Sequence, residues 1–153
     1  ESKPVIIGMG NDINADDGIA PHIIRELGEL KFFITLDVGT LPENFTKKIA
    51  EMCPSHIIIL DAAMIEGQPG TTEIVEPGIV DEVIFTTHHI PLSYTIQRLQ
   101  AMGGAEVIII GIKPKILDTG MPMTPAVVVA GDDIVQLFKE LDKKLNTDRD
   151  LGD

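Results

Sequence analysis

The chain reads as an α/β domain with three layers, α/β/α, around a mostly parallel, mixed sheet of about five strands. Three observations predict this. Near-continuous apolar runs rich in Ile and Val recur along the chain, the pattern of strands covered on both faces. Segments with helical periodicity alternate with those runs. Neither an internal repeat nor a linker interrupts the alternation, so residues 1–153 are expected to form one domain.

The first strand is "PVIIGMG", Pro4 to Gly10. The stretch "DDGIAPHIIRELGEL" then gathers Ile19, Ile23, Ile24 and Leu27 on one helical face, with Gly28 as the stop. "FFITLDV", Phe32 to Val38, is the second strand, and "PENFTKKIAEM" is a helix that aligns Phe45, Ile49 and Met52. "HIIILDAA", His56 to Ala63, is the third strand. After the turn "EGQPG", the alternating "TTEIVE" predicts an exposed or edge strand, for which an antiparallel orientation is open. "VIFTT" fits a short strand or a loop, and both stay open. "IPLSYTIQRLQAMGG" predicts a helix that starts after Pro91 and stops at Gly103-Gly104. "EVIIIGI", Glu106 to Ile112, is a buried strand. A last helix opens at Thr124-Pro125 and ends in a basic turn that suits its dipole. Gly131 is expected to divide it, and the polar tail 146–153 is expected to be disordered.

Composition removes several function classes. Twelve basic against 24 acidic residues leave a net charge of −12. Nucleic acid and anionic membranes both require clustered Lys and Arg, so neither is an expected partner. Cation binding is compatible with this balance, although many cytosolic proteins are simply acidic. No apolar run approaches the ~18 residues of a membrane span, and no signal peptide opens the chain, which begins at Glu1. The single cysteine, Cys53, forbids an internal disulfide and predicts a reducing, cytoplasmic setting. Cys53 is expected to be a buried structural thiol rather than a nucleophile.

In open α/β sheets ligands bind beyond the carboxyl ends of the strands. Strand one leads to Asn11, Asp16 and Asp17, strand two ends at Asp37, and strand three ends at Asp61. "TTHH", Thr86 to His89, precedes the Pro91 helix. Each of these has an ordinary explanation as a helix-start charge or a cap. Together on one rim the carboxylates repel unless a cation or a proton lies between them. Carboxylates with a histidine suit zinc or nickel better than magnesium or calcium. Three protein ligands with an open position would suit hydrolysis. No HExxH motif is present, and His22 and His56 read as structural.

Other readings fit less well. In "GMGNDI" the third glycine of a dinucleotide fingerprint is Ile13, and the acids that follow would repel a pyrophosphate. Neither a GxSxG elbow nor a phosphate loop ending in GKS or GKT occurs. A receiver-type phosphoacceptor domain is the stronger rival. Asp16-Asp17, Asp61, Thr86 or Thr87, and Lys113-Pro114 imitate its set. However, "GNDINA" separates the acids from strand one, and "DVGTLPEN" and the double histidine stay unexplained.

The ordered set "GMGN", "DDGIAP", "DVGTLPEN", "ILDAA", "TTHHIPLSY" and "GIKP" resembles the hydrogenase maturation endopeptidases, from about Val5 to Pro114. These enzymes remove a C-terminal peptide from the large subunit of nickel–iron hydrogenases. The "TTH…PL" pattern is similar to the formate-hydrogenlyase-type branch. The resemblance implies a metal-dependent, aspartic-type endopeptidase acting on a nickel-loaded large-subunit precursor. It implies Asp17, Asp61 and His88 as the catalytic and nickel-recognising residues, with Asp16 a neighbour at the helix start. The nickel would arrive with the precursor, and zinc or cadmium would substitute for it. The family's glycine-rich loop falls on Asp37 to Thr40, where Val38 replaces a glycine, and His89 is assigned no role. A non-catalytic metal-binding maturation chaperone on the same fold is the remaining alternative.

Overall fold

The computed structural model describes residues 2–86 and 91–150. The sheet is built from β1 (Val5–Met9), β2 (Ile34–Gly39), β3 (His56–Ala62), β4 (Thr72–Val75) and β5 (Glu106–Ile112). Its order is β2-β1-β3-β5-β4. The first four of these positions run parallel, and β4 closes one edge antiparallel to β5. The strand expected from "TTEIVE" is therefore present, and it is an edge strand that runs antiparallel. "VIFTT" is for the most part a connection: a 3-10 turn, Pro77–Glu82, leads to an isolated antiparallel bridge between Phe85 and Ala63.

Four helices cover the two faces: α1 (Ile19–Leu27), α2 (Thr46–Glu51), α3 (Leu92–Gly103) and α4 (Pro125–Asp150). Strand alternation sends Ile57 and Ile59 to one face and Ile58 and Leu60 to the other. On the first face they join Ile49 of α2 and Leu92, Ile96 and Leu99 of α3. On the second they join Ile19 and Ile23 of α1 and Val127, Ile134 and Phe138 of α4. Each such aliphatic side chain, fully buried, stabilises the fold by roughly 1.5–3 kcal/mol. These two cores make the three layers.

Four expectations need correction. β2 begins at Ile34 rather than Phe32. The N–H groups of Lys31 and Phe32 instead donate to the Asp142 carboxylate of α4, at 3.1 and 2.7 Å. Gly131 does not divide α4, which is continuous. A Cβ at Gly131 would lie 2.7 Å from Cδ1 of Ile19, so the glycine lets α1 approach the helix closely. The tail expected to be disordered is helical from Asn146 to Asp150. Asn146 accepts from the Lys31 ammonium, and the Thr147 hydroxyl donates to the Lys143 carbonyl at 3.1 Å. Finally, Cys53 is exposed rather than buried. It terminates α2 with φ of 47°, its N–H donating to the Ala50 carbonyl at 3.0 Å, so the backbone turn directs the thiol outward.

Candidate active site

The carboxyl ends of β1 and β3 lie side by side because the strands are parallel. β1 leads to Gly10, whose φ is +154°. A Cβ there would lie 2.0 Å from the Asp17 carbonyl oxygen. Only glycine therefore permits the chain to fold back across the end of its own strand. Asn11 then accepts from the Ile13 N–H at 3.2 Å, closing an Asx turn. A 3-10 turn, Ala15–Gly18, carries the two aspartates into α1.

The aspartates take opposite roles. Asp16 is fully buried. Its Oδ2 accepts from Lys115 N at 2.8 Å, Ile116 N at 2.9 Å and Thr124 Oγ1 at 2.7 Å, and its Oδ1 accepts from Thr124 N at 2.6 Å. Its own N–H donates to the Ile116 carbonyl at 2.9 Å. Asp16 thus staples the loop between β5 and α4 onto the turn after β1. Burial pushes its carboxyl up, but the donors from Ile116, Thr124 and Lys115 outweigh burial and hold it below the usual carboxylate value.

Asp17 is 4% exposed and turns to the other side. Its Oδ2 accepts from Asn11 N at 3.2 Å, and its Oδ1 accepts from the Thr86 hydroxyl. The Thr86 N–H donates to the Ala62 carbonyl at 3.3 Å. Thr86 therefore links the Asp17 carboxylate to the end of β3, one residue beyond Asp61. Asp61 is fully buried. By strand alternation it lies on the face of Ile57 and Ile59, which α3 covers. Asp17 and Asp61 are brought to one rim, as the strand-end rule predicts.

The remaining candidates separate. Asp37 is exposed, and its carboxylate accepts from the Gly39 N–H at 2.9 Å, a local turn rather than a shared cluster. His56 opens β3 and pairs with Glu106 at 3.5 Å. That is five residues before Asp61 and so roughly 16 Å away along the strand. His22 sits half-buried on α1. His88, Thr87 and His89 lie outside the described residues. Among the described residues no group of three metal-binding side chains converges.

Both oxygens of Asp17 are oriented, Oδ2 by Asn11 and Oδ1 by Thr86. Two buried acids on one rim fit a cation better than they fit each other. A receiver-type cluster needs both acids of its pair together, and here Asp16 is committed to the β5–α4 loop. Sequence reasoning did not recognise Thr86 as the partner of Asp17, or Thr124 as the partner of Asp16. Thr86 and Thr124 were visible only as a hydroxyl residue before the histidines and as a helix opener.

The sequence profile of the hydrogenase maturation protease family matches residues 21–140, a span that includes Asp61 and His88. The hydrogenase 3 maturation protease of Escherichia coli (strain K12) is 33% identical, over 86% of this chain and 86% of its own length. The solution structure of the endopeptidase HycI from Escherichia coli aligns with a TM-score of 0.79 at 33% identity, covering 88% of this chain and 87% of that one. The crystal structure of a nickel–iron hydrogenase maturation protease, HycI, from Thermococcus kodakarensis KOD1 shares the fold, with a TM-score of 0.83 at 24% identity over 93% of both chains.

Proposed function

The chain belongs to the hydrogenase maturation protease family, and from that premise we propose that it removes the C-terminal extension of a nickel-loaded hydrogenase large-subunit precursor. The observation that supports this most directly is the buried pair Asp17 and Asp61 on one strand-end rim. The Asn11 N–H and the Thr86 hydroxyl hold Asp17 in a fixed orientation.

In this reading the nickel is part of the substrate. The precursor presents the ion, and Asp17, Asp61 and His88 complete its shell; zinc or cadmium substitutes for it in the isolated protein. A metal beside the scissile bond polarises the carbonyl or a water. Hydrolysis also needs an acceptor for the proton of the attacking water, and a donor to the leaving amine. Asp17 and Asp61 are the carboxylates at this rim, so an aspartic-type reaction would draw that proton transfer from whichever of their oxygens the ion leaves uncoordinated. The ion and the scissile bond arrive on the same molecule, so proximity raises the rate on the loaded precursor alone.

No described helix is long and apolar enough to cross a membrane. Separately, the single cysteine and the acidic balance of the sequence favour a reducing, cytoplasmic setting and disfavour nucleic acid as a partner. The test is a paired incubation of one large-subunit precursor with and without inserted nickel, followed by mass measurement. Trimming of the loaded form alone is expected. Equal trimming of both forms would remove the substrate-borne metal from the mechanism.

A further inference from the structure

A second concave surface lies on the same face of the sheet, away from the aspartates. It is a groove of about 260 Å³ between the segment after β3, the edge strand β4 and the turn Pro77–Glu82. At ~30 Å³ per water it holds the volume of about nine waters, room for one or two side chains but not for a folded element. Ile65 and Val75 form its floor, both buried and both packed over Gly111, where a Cβ would lie 3.6 Å from each. Met64 and Ile79 form its walls and stay 46% and 47% exposed. Glu66, Glu73 and Glu82 line it and are all exposed.

Strand register relates this groove to the aspartates. Glu73 pairs with Gly111, and Gly111 pairs with Asp61, so the three form one row across β4, β5 and β3. Paired residues point to the same face, and neighbouring strands are about 4.8 Å apart. Glu73 therefore stands about 10 Å from Asp61 on the same side of the sheet. An extended peptide rises about 3.3 Å per residue, so that gap is bridged by about three residues.

We propose that this groove holds an extended stretch of the precursor's removable tail, seating a Lys or Arg about three residues from the scissile bond. The proposal rests on the processing reading given above. A long cationic side chain matches both parts of the groove. Its methylenes lie against Met64 and Ile79 while its charge meets the glutamates at the rim. The net charge of −12 favours the same occupant and disfavours an acidic one. In the processing reading the tail is the segment that is cut, so it is the segment that has to reach past the rim toward β4.

The experiment has two arms. In the first, a fluorescent peptide of alternating valine and lysine is titrated into the full chain, beside the same peptide with glutamate at the lysine positions. The lysine peptide should bind, shift the amide resonances of Glu73, Val75 and Gly111, and weaken as salt is added. The glutamate peptide should not bind. The double change Glu73→Gln and Glu82→Gln should weaken the lysine peptide about five-fold, the worth of two exposed charge pairs. Equal binding of both peptides, or shifts confined to other residues, would overturn the groove's preference. In the second arm the double variant processes nickel-loaded precursor, and KM should rise about five-fold with kcat retained. An unchanged KM while the wild type cleaves would overturn the tail assignment and leave the processing reading standing. A wild type that binds the lysine peptide but never cleaves loaded precursor would instead remove the processing reading and leave the groove's charge preference standing.

Discussion

Asp16 and Asp17 are adjacent in the chain but serve two regions of the molecule. On the α4 side, Asp16 accepts four hydrogen bonds from Lys115, Ile116 and Thr124 and closes the loop after β5. On the α3 side, Asp17 accepts from Asn11 and Thr86 and stands beside the end of β3. Both are buried, so burial alone does not tell the two apart. What separates them is where their donors come from. Asp16 is held by donors of the loop between β5 and α4, which suits a structural role. Asp17 is held by the Asn11 N–H and by the Thr86 hydroxyl at the end of β3, on the rim it shares with Asp61. Adjacent like charges are tolerated because a 3-10 turn sends them to opposite sides.

The contrast would be broken altogether by Gly10→Ala. The added methyl would meet the Asp17 carbonyl, and alanine disfavours the φ of +154°. Strain and overpacking together should cost about 3–5 kcal/mol, read as a lower urea midpoint with an unchanged slope. Both regions would fail together, since both hang from this turn. Retention of wild-type stability would mean that Gly10 does not hold the turn in place.

The next largest effects should split the two neighbours. Asp17→Asn keeps the shape and removes the charge, as does Asp61→Asn. Each should lower processing of loaded precursor on the order of a hundredfold. Asp16→Asn should do the reverse. Its amide NH2 would face backbone N–H groups, costing about 2 kcal/mol of stability, while folded protein still processes precursor. Comparable processing losses at Asp16 and Asp17 would erase the distinction drawn here.

The Asp16 contribution also has a sign in pH. Its folded-state value lies below the ordinary 3.8, so it stabilises the fold above that value. The contribution is lost as pH falls through the lowered folded value. The stability gap between wild type and Asp16→Asn should therefore be flat above about pH 5 and shrink in acid. Denaturant titrations at several pH values measure it directly. A gap that widens in acid would contradict the assignment of these donors to the charged form.

Much of the layer structure was legible because it depends on local pattern. The Ile and Val runs of β3 and β5 mark their strands to within a residue, and α1 follows from its apolar spacing. The errors arise where a partner lies far away in the chain. The true start of β2 depends on Asp142, 110 positions after Phe32. Gly131 reads as a helix breaker until Ile19 is placed against it. Cys53 is a local exception: it reads as buried until the turn closed on Ala50, three residues earlier, is known. The site shows the same division. The strand-end rule brought Asp17 and Asp61 to one rim. The choice of Asp17 over Asp16 came from resemblance; that Asp16 is committed to donors 99 to 108 positions later could not be read from the local pattern.

The smallest expected effect gives the finest test of the contrast. Thr86 is half-buried, and its hydroxyl donates to Asp17 while its N–H donates to Ala62. Thr86→Val keeps the branched shape and the backbone bond but removes the hydroxyl. If that hydroxyl orients Asp17, affinity for added zinc or cadmium should fall about tenfold, the usual worth of a bond that positions a ligand. Stability should change by only about 1 kcal/mol, because a single partner of an already oriented carboxylate is lost. Thr86→Ser separates orientation from packing. It restores the donor without the methyl, so calorimetry should show most of the affinity return. If serine fails as badly as valine, the methyl group's packing is what matters, and the Thr86 hydroxyl does not orient Asp17. Asp16 supplies the control: Thr124→Val removes one of its donors too, and it should lower stability while leaving metal affinity where it was.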